Sequence, residues 1–125
     1  MILHLISSLS RGGRERQLAN IVSNTNQDKY PSRIVYFNDR KNSYFEEYKL
    51  QDISIKVKSA SYLTRLIELN RILTNNSPDL VYAWGNIESS FAIILAAFHK
   101  YKFINGSIRH GIRSKNEKAF LILYH

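Results

Sequence analysis

The feature that most constrains the fold is a regular alternation of short apolar segments with amphipathic ones. Five segments read as strands, at intervals of roughly 20–30 residues that suit β-α-β units, and they are Ile2–Ser7, Arg33–Phe37, Ile53–Val57, Asp79–Ala83 and Lys102–Ile108. Helical periodicity lies between and after them, in Arg14–Asn24, Ser43–Leu50, Tyr62–Asn75, the segment after Asn86, and Lys115–Tyr124. The pattern predicts an α/β protein with a Rossmann-like parallel sheet of about five strands, in the order 3-2-1-4-5, flanked by helices.

Individual segments add finer expectations. Ile53–Val57 alternates apolar and polar residues, which is typical of a strand with one wetter face and indicates an edge of the sheet. His4 lies within the first strand and is expected to be a core or helix-facing residue. Asn86 is placed to cap the helix after the fourth strand. The residues expected on the buried face of that helix are Phe91, Ile94, Leu95 and Phe98.

Length and composition exclude several classes of protein. The 125 residues predict one domain, 1–125, that is large enough for a core. No cysteine is present, which excludes a disulfide scaffold and a cysteine nucleophile and suits a reducing cytoplasm. The longest apolar run, Phe91–Phe98, is too short to span a bilayer, and no basic region precedes the first apolar run as in a signal peptide. The spacing of His, Asp and Glu predicts neither a metal site nor a Ser/His/Asp triad.

The predicted fold directs attention to the loops at the carboxyl ends of the strands. Ligands of such sheets bind there, beside the point where the strand order reverses between the first and fourth strands. These loops are Ser7–Gly13, Tyr36–Lys41, Trp84–Asn86 and Ser107–Arg113.

Two adjacent glycines, Gly12 and Gly13, stand between the first strand and the first helix. Glycine permits a positive φ and lets another group approach the backbone closely. The free N–H groups of the first helical turn, together with the helix dipole, favour an anion. The spacing matches neither G-x-G-x-x-G nor the P-loop. The residues alone leave open whether this is a simple turn or an anion-binding site.

Three segments resemble family 4 glycosyltransferases of the GT-B fold. ILHLISSLSRGGRERQLANIV resembles the N-terminal signature of that family, in which a strand leads into a Gly-Gly turn and the first helix. SPDLVYAWG is similar to the family's fourth strand and loop, without the histidines of that loop, and INGSIRHGIR is similar to its fifth strand. The three segments are spread along nearly the whole chain, from Ile2 to Arg113.

The resemblance implies a function and a domain role. Members transfer a sugar, with retention of configuration, from a nucleoside-diphosphate-sugar to a glycan or lipid-linked acceptor, and require no metal and no cofactor besides that donor substrate. The chain matches only the N-terminal, acceptor-binding domain, so the C-terminal donor-binding domain is expected to be missing and this part alone is not expected to be active. Gly12 and Gly13 are implied to approach the donor diphosphate.

Other candidate residues follow from the resemblance and the loops. Glu15 falls in the family's Gly-Gly-x-Glu and either hydrogen-bonds in the cleft or is simply a favourable acid in a first helical turn. Trp84 either stacks on a sugar or is buried, and Asn86 contacts substrate or caps a helix. Arg109 is a candidate contact for acceptor or phosphate, and His110 is the candidate catalytic residue.

The charge of the chain is strongly positive, with 18 Lys and Arg against 10 Asp and Glu and a net charge of +8. Arg11, Arg14 and Arg16 flank the glycines, and Arg11 is a further candidate for the cleft. A second basic stretch contains Lys100, Lys102, Arg109, Arg113, Lys115 and Lys118. On the carboxyl edge of the sheet these residues would suit a diphosphate donor and an anionic acceptor on the inner face of a membrane, although a basic, solvated surface has the same pattern.

Two other functions remain open at this point. A basic Rossmann-like module could bind nucleotides without catalysis, because a fold does not determine function. The charge would also suit nucleic acid, but no RNP, KH or helix-turn-helix pattern is present, so nucleic acid is not favoured as a partner. The sequence predicts a cytoplasmic protein and leaves peripheral attachment to a membrane open.

Overall fold

The computed structural model of the chain describes residues 1–9, 12–39, 44 and 47–105. Within this part the strands are β1 (Ile2–Ile6), β2 (Ser32–Tyr36), β3 (Ser54–Lys56), β4 (Leu80–Ala83) and β5 (Lys102–Asn105). The α-helices are α1 (Gly13–Asn24), α2 (Tyr62–Asn76) and α3 (Asn86–Leu95), and a short 3-10 helix spans Gln51–Ile53.

The five strands form one sheet in which all neighbours are parallel, in the order β3-β2-β1-β4-β5. The predicted Rossmann-like α/β architecture is therefore confirmed, including the edge position of β3. β1 is the central strand, and its His4 pairs with Ile34 of β2 on one side and Tyr82 of β4 on the other. This register determines which side chains meet across the sheet.

The two faces of the sheet are covered by different helices. Leu3 and Leu5 of β1 belong to the apolar cluster that contains residues of α2 and α3. Ile6 belongs to the cluster that contains residues of α1. Successive residues of a strand point to opposite faces, so a strand that is apolar throughout can pack against the helices on both faces of the sheet.

The start of α3 corrects two expectations. Gly85, not Asn86, is the N-cap, and Asn86 is the first residue of the helix, so the predicted Asn86 cap is wrong. Phe91 and Leu95 are buried as expected, but Ile94 is 41% and Phe98 75% exposed. The reason is that α3 ends at Leu95, so Phe98 lies beyond the helical face, while Ile94 is turned away from the sheet.

Other segments were predicted for positions that the structure does not describe. They are the part of the fifth strand beyond residue 105 and the helix at 115–124. Of the predicted helix at 43–50, residues 47–49 form a turn, and 43, 45 and 46 lie outside the described residues.

Candidate functional site

Two strand-to-helix loops meet at the carboxyl edge of the sheet. β1 leads into α1, β4 leads into α3, and β1 and β4 are parallel neighbours. α1 and α3 pack on opposite faces, so the strand order reverses between β1 and β4. In open α/β sheets this reversal is where a ligand crevice forms.

Both helices begin with the same arrangement of a glycine cap and a glutamate three residues later. Gly12 precedes α1 and Gly85 precedes α3. A Cβ built on Gly12 would collide with Oε2 of Glu15, and one built on Gly85 would collide with Oε2 of Glu88. Each carboxylate thus folds back over its own glycine, at the positive end of a helix dipole.

The backbone at Gly12 does not use the positive φ that glycine permits. Gly12 has φ −132° and ψ 172°, which is extended backbone that any residue adopts. A Cβ at this position would meet the carboxylate of Glu15, so a larger residue would require that side chain to move.

Gly13 has a different environment. It is exposed, and apart from its chain neighbours and the backbone of its own helix, no atom of the described residues lies within 4 Å of the position that its Cβ would occupy. Glycine is unfavourable in helices, so its presence in the first turn calls for a reason that packing among the described residues does not supply. The bare backbone leaves room for another molecule to approach.

Arg14 joins the two loops across the reversal point. Its Nη1 donates a hydrogen bond to the backbone carbonyl of Trp84, with 2.5 Å between the two atoms. Glu88 is buried, and this desolvation raises the pKa of its carboxyl, with nearby Glu15 adding to the rise. A hydrogen bond with the Glu88 backbone and the positive charge of Arg14 act in the opposite direction and lower this pKa. Charged side chains of the first loop therefore influence the pKa of a carboxyl group beside the second loop.

Trp84 is buried beneath these loops. Its side chain is 3% exposed, and its ring stacks on Tyr82 at a centroid distance of 4.6 Å. Nε1 donates to Nδ1 of His4, 3.1 Å away. Of the two alternatives for Trp84, the structure shows the buried one. Burial also lowers the pKa of His4 to about 4, so its imidazole is neutral at pH 7.

The structure brings together five of the candidate residues. Gly12, Gly13 and Glu15 lie on one loop, and Trp84 and Asn86 lie on its neighbour, where Asn86 is exposed. The other three candidates, Arg11, Arg109 and His110, lie outside the described residues.

Sequence reasoning missed two participants. Glu88 was not singled out, although the recurrence of Gly-x-x-Glu at the start of two helices is a signal that could have found it. The role of Arg14 as a tie between loops has no such signal, because its acceptor is a backbone carbonyl 70 residues away.

A second polar cluster lies at the same edge, beside β2. Asn38 donates through Nδ2 to Oγ of Ser7 at 3.2 Å, and its Oδ1 lies 3.5 Å from Nη2 of Arg65. The Nε of Arg65 donates to the carbonyl of Ser59 at 2.9 Å. No sequence pattern had marked Arg65, because in the sequence it is an ordinary polar position of an amphipathic helix.

Two kinds of feature are absent from the described part of the chain. It holds no group of three or more His, Cys, Asp or Glu residues that could bind a metal ion. None of its helices combines the length and the apolar character needed to cross a bilayer.

The fold and the loop pair define a Rossmann-like α/β domain with a candidate ligand edge between β1 and β4. No protein-family model matches the chain, and comparison with curated proteins finds no match.

Proposed function

We propose that this chain is the acceptor-side domain of a retaining glycosyltransferase of the GT-B type. The enzyme would transfer a sugar from a nucleoside-diphosphate-sugar to a glycan or lipid-linked acceptor. The observation that carries the proposal is the bare backbone of Gly13 in the first turn of α1, beside the reversal of strand order. The parallel sheet order agrees with the fold that the sequence resemblance implies.

The chemistry explains why such a backbone would be useful. As the glycosidic bond to the donor breaks, negative charge develops on the leaving diphosphate. Backbone N–H groups at a helix N-terminus are fixed donors aimed at an anion, and the helix dipole adds to their effect. Because Gly13 lacks a side chain, a phosphate could come close enough to accept these hydrogen bonds.

Glu15 is the residue that a diphosphate would have to displace. Its carboxylate lies over Gly12, at the helix end where the phosphate would bind. Two anions do not share one such site, so in this proposal Glu15 swings outward as the donor arrives. The half-buried position of Glu15 is compatible with that movement, whereas Glu88 is 5% exposed and is expected to stay.

A donor-binding domain is also part of the proposal, either in the same polypeptide or as a separate chain. The nucleoside and most of the sugar would bind to that domain. The net charge of +8 suits an anionic acceptor or an anionic membrane surface close to the site.

Diphosphate binding is tested by titrating the isotope-labelled chain with UDP and with GDP while its backbone amide NMR signals are followed. We expect saturable shifts at Gly12, Gly13 and Arg14. The dissociation constant should be about 1 mM, because a few backbone hydrogen bonds without nucleoside contacts give a weak complex. Gly13→Ala should weaken binding several-fold while the fold is kept, since the structure leaves room for the methyl group.

The matched control is Asn20→Ala, on the exposed side of the same helix. It should bind like the parent chain. Shifts that never appear, or that persist unchanged in Gly13→Ala, would refute diphosphate binding at this turn. Sugar transfer is measured with the donor-binding domain present, using radiolabelled nucleotide-sugars and a membrane extract as the acceptor source. There Gly13→Val should abolish incorporation of the label.

A further inference from the structure

Arg65 makes two contacts that position its guanidinium at the carboxyl edge of the sheet. The carbonyl of Ser59 accepts from its Nε, and its guanidinium carbon lies 5.2 Å from the centroid of the Phe37 ring. Phe37 itself is 5% exposed, so the guanidinium rests on part of the core. The side chain is half-buried and its plane is fixed from two sides.

The positive charge of this guanidinium has no carboxylate partner among the described residues. The acids on neighbouring elements have other partners: Asp39 pairs with Lys56, and Oε2 of Glu68 accepts from the backbone N–H of Lys58. A partly buried cation is costly unless an anion compensates it. An anion bound to the Arg65 guanidinium would offset this cost.

Donors beyond Arg65 continue the cluster towards β1. Asn38 bridges Arg65 and Ser7, and in its bond with Ser7 the amide nitrogen of Asn38 is the donor. Among the described residues no group accepts the hydroxyl hydrogen of Ser7, and Ser7 is exposed. The guanidinium of Arg65 and the hydroxyl of Ser7 thus lie at the two ends of one hydrogen-bonded chain, with Asn38 between them.

We propose that Arg65, Asn38 and Ser7 form an oxyanion-binding site, separate from the Gly13 turn, which takes a phosphate or carboxylate group. We assign the bound phosphate or carboxylate to the acceptor substrate, and this assignment rests on the function proposed above. A planar guanidinium donates two parallel hydrogen bonds to such a group, which makes it selective for oxyanions over chloride. In the glycosyltransferase, this contact would orient the acceptor at the edge of the sheet.

The experiment is an NMR titration of the chain with inorganic phosphate and, separately, with acetate, at constant ionic strength set with chloride. We expect saturable shifts of the Arg65 Nε–H signal and of the Asn38 side-chain amide. The anion that binds more tightly identifies the ligand group as phosphate or carboxylate. Absence of saturable shifts with both anions would overturn the proposal.

Three variants sharpen the test. Arg65→Lys keeps the charge but loses the planar pair of donors, so binding should weaken about fivefold. Asn38→Asp places a carboxylate beside the guanidinium and should weaken binding about tenfold by competing with the ligand. Arg71→Lys, on the exposed side of the same helix, is the matched control and should bind as the parent does.

Thermal unfolding of each variant separates loss of binding from loss of structure. If Arg65→Lys fails to fold, Asn38→Asp still decides the matter, because it leaves Arg65 in place. Equal affinity in Asn38→Asp and the parent would overturn the proposal. Gly13→Ala should leave the Arg65 signals responsive, so failure of this site and failure of the diphosphate site are seen at different residues.

Discussion

Acidification should destabilise this protein through one buried imidazole, that of His4. The side chain is 4% exposed, and Nδ1 accepts the hydrogen bond from Nε1 of Trp84. A proton added at Nδ1 would oppose the N–H of Trp84, and the resulting charge would be isolated from water. Both effects disfavour the protonated form in the folded protein.

The magnitude follows from the difference in pKa between the folded and unfolded states. Burial lowers the pKa of His4 from 6.5 to about 4. The unfolded chain therefore binds the proton first, and between pH 6.5 and about 4 the free energy of unfolding falls as the pH falls. At 1.36 kcal/mol for each unit, the loss approaches about 3 kcal/mol at the bottom of this window, and little of it occurs above pH 6.5. That is a large part of the roughly 5–15 kcal/mol that stabilises a typical domain.

The assay is urea unfolding at a series of pH values from 7 to 4, for the parent chain and for His4→Gln. Glutamine can still accept from Trp84 but does not titrate, so the free energy of unfolding of the parent should fall by about 3 kcal/mol relative to that of His4→Gln between pH 7 and pH 4. Contributions from Glu88 and Asp79 are common to both proteins and cancel. NMR titration of the His4 ring should give a midpoint near pH 4. A difference in stability that does not change with pH would refute the reasoning.

Three further predictions concern stability and are measured by urea unfolding. Gly85→Ala should lower the free energy of unfolding by about 1–3 kcal/mol, because the new methyl group meets the buried carboxylate of Glu88. Adding Glu88→Ala should recover part of that loss, and strictly additive effects of the two substitutions would contradict the clash. Ser77→Gly should stabilise by up to about 1 kcal/mol, because Ser77 ends α2 with φ 43°, a conformation in which glycine is not strained, and a loss of stability would contradict this. Phe91→Ala should cost about 3–5 kcal/mol, because the ring is 0% exposed and stacks on Tyr62; a cost below about 1 kcal/mol would argue against its place in the core.

The candidate site was predictable only in part. Gly12 and Gly13 could be placed at the reversal point because loop position follows from the order of strands and helices. The reason for glycine at Gly12 could not, because it depends on the direction in which the Glu15 side chain folds. The predicted Asn86 cap failed for a related cause: a good capping residue lies one position inside the helix, after a glycine that takes the cap.

The alternation of apolar and amphipathic segments was enough by itself to determine the architecture of the sheet. Local periodicity identifies strands and helices, and the handedness of parallel connections leaves few orders for them. Only the tertiary structure decided which polar groups meet. The bond between Trp84 and His4 joins residues 80 positions apart, and the contact between Arg65 and Asn38 joins residues 27 positions apart. Both depend on strand register and on helix rotation over the sheet, and neither quantity is encoded in a local pattern of the chain.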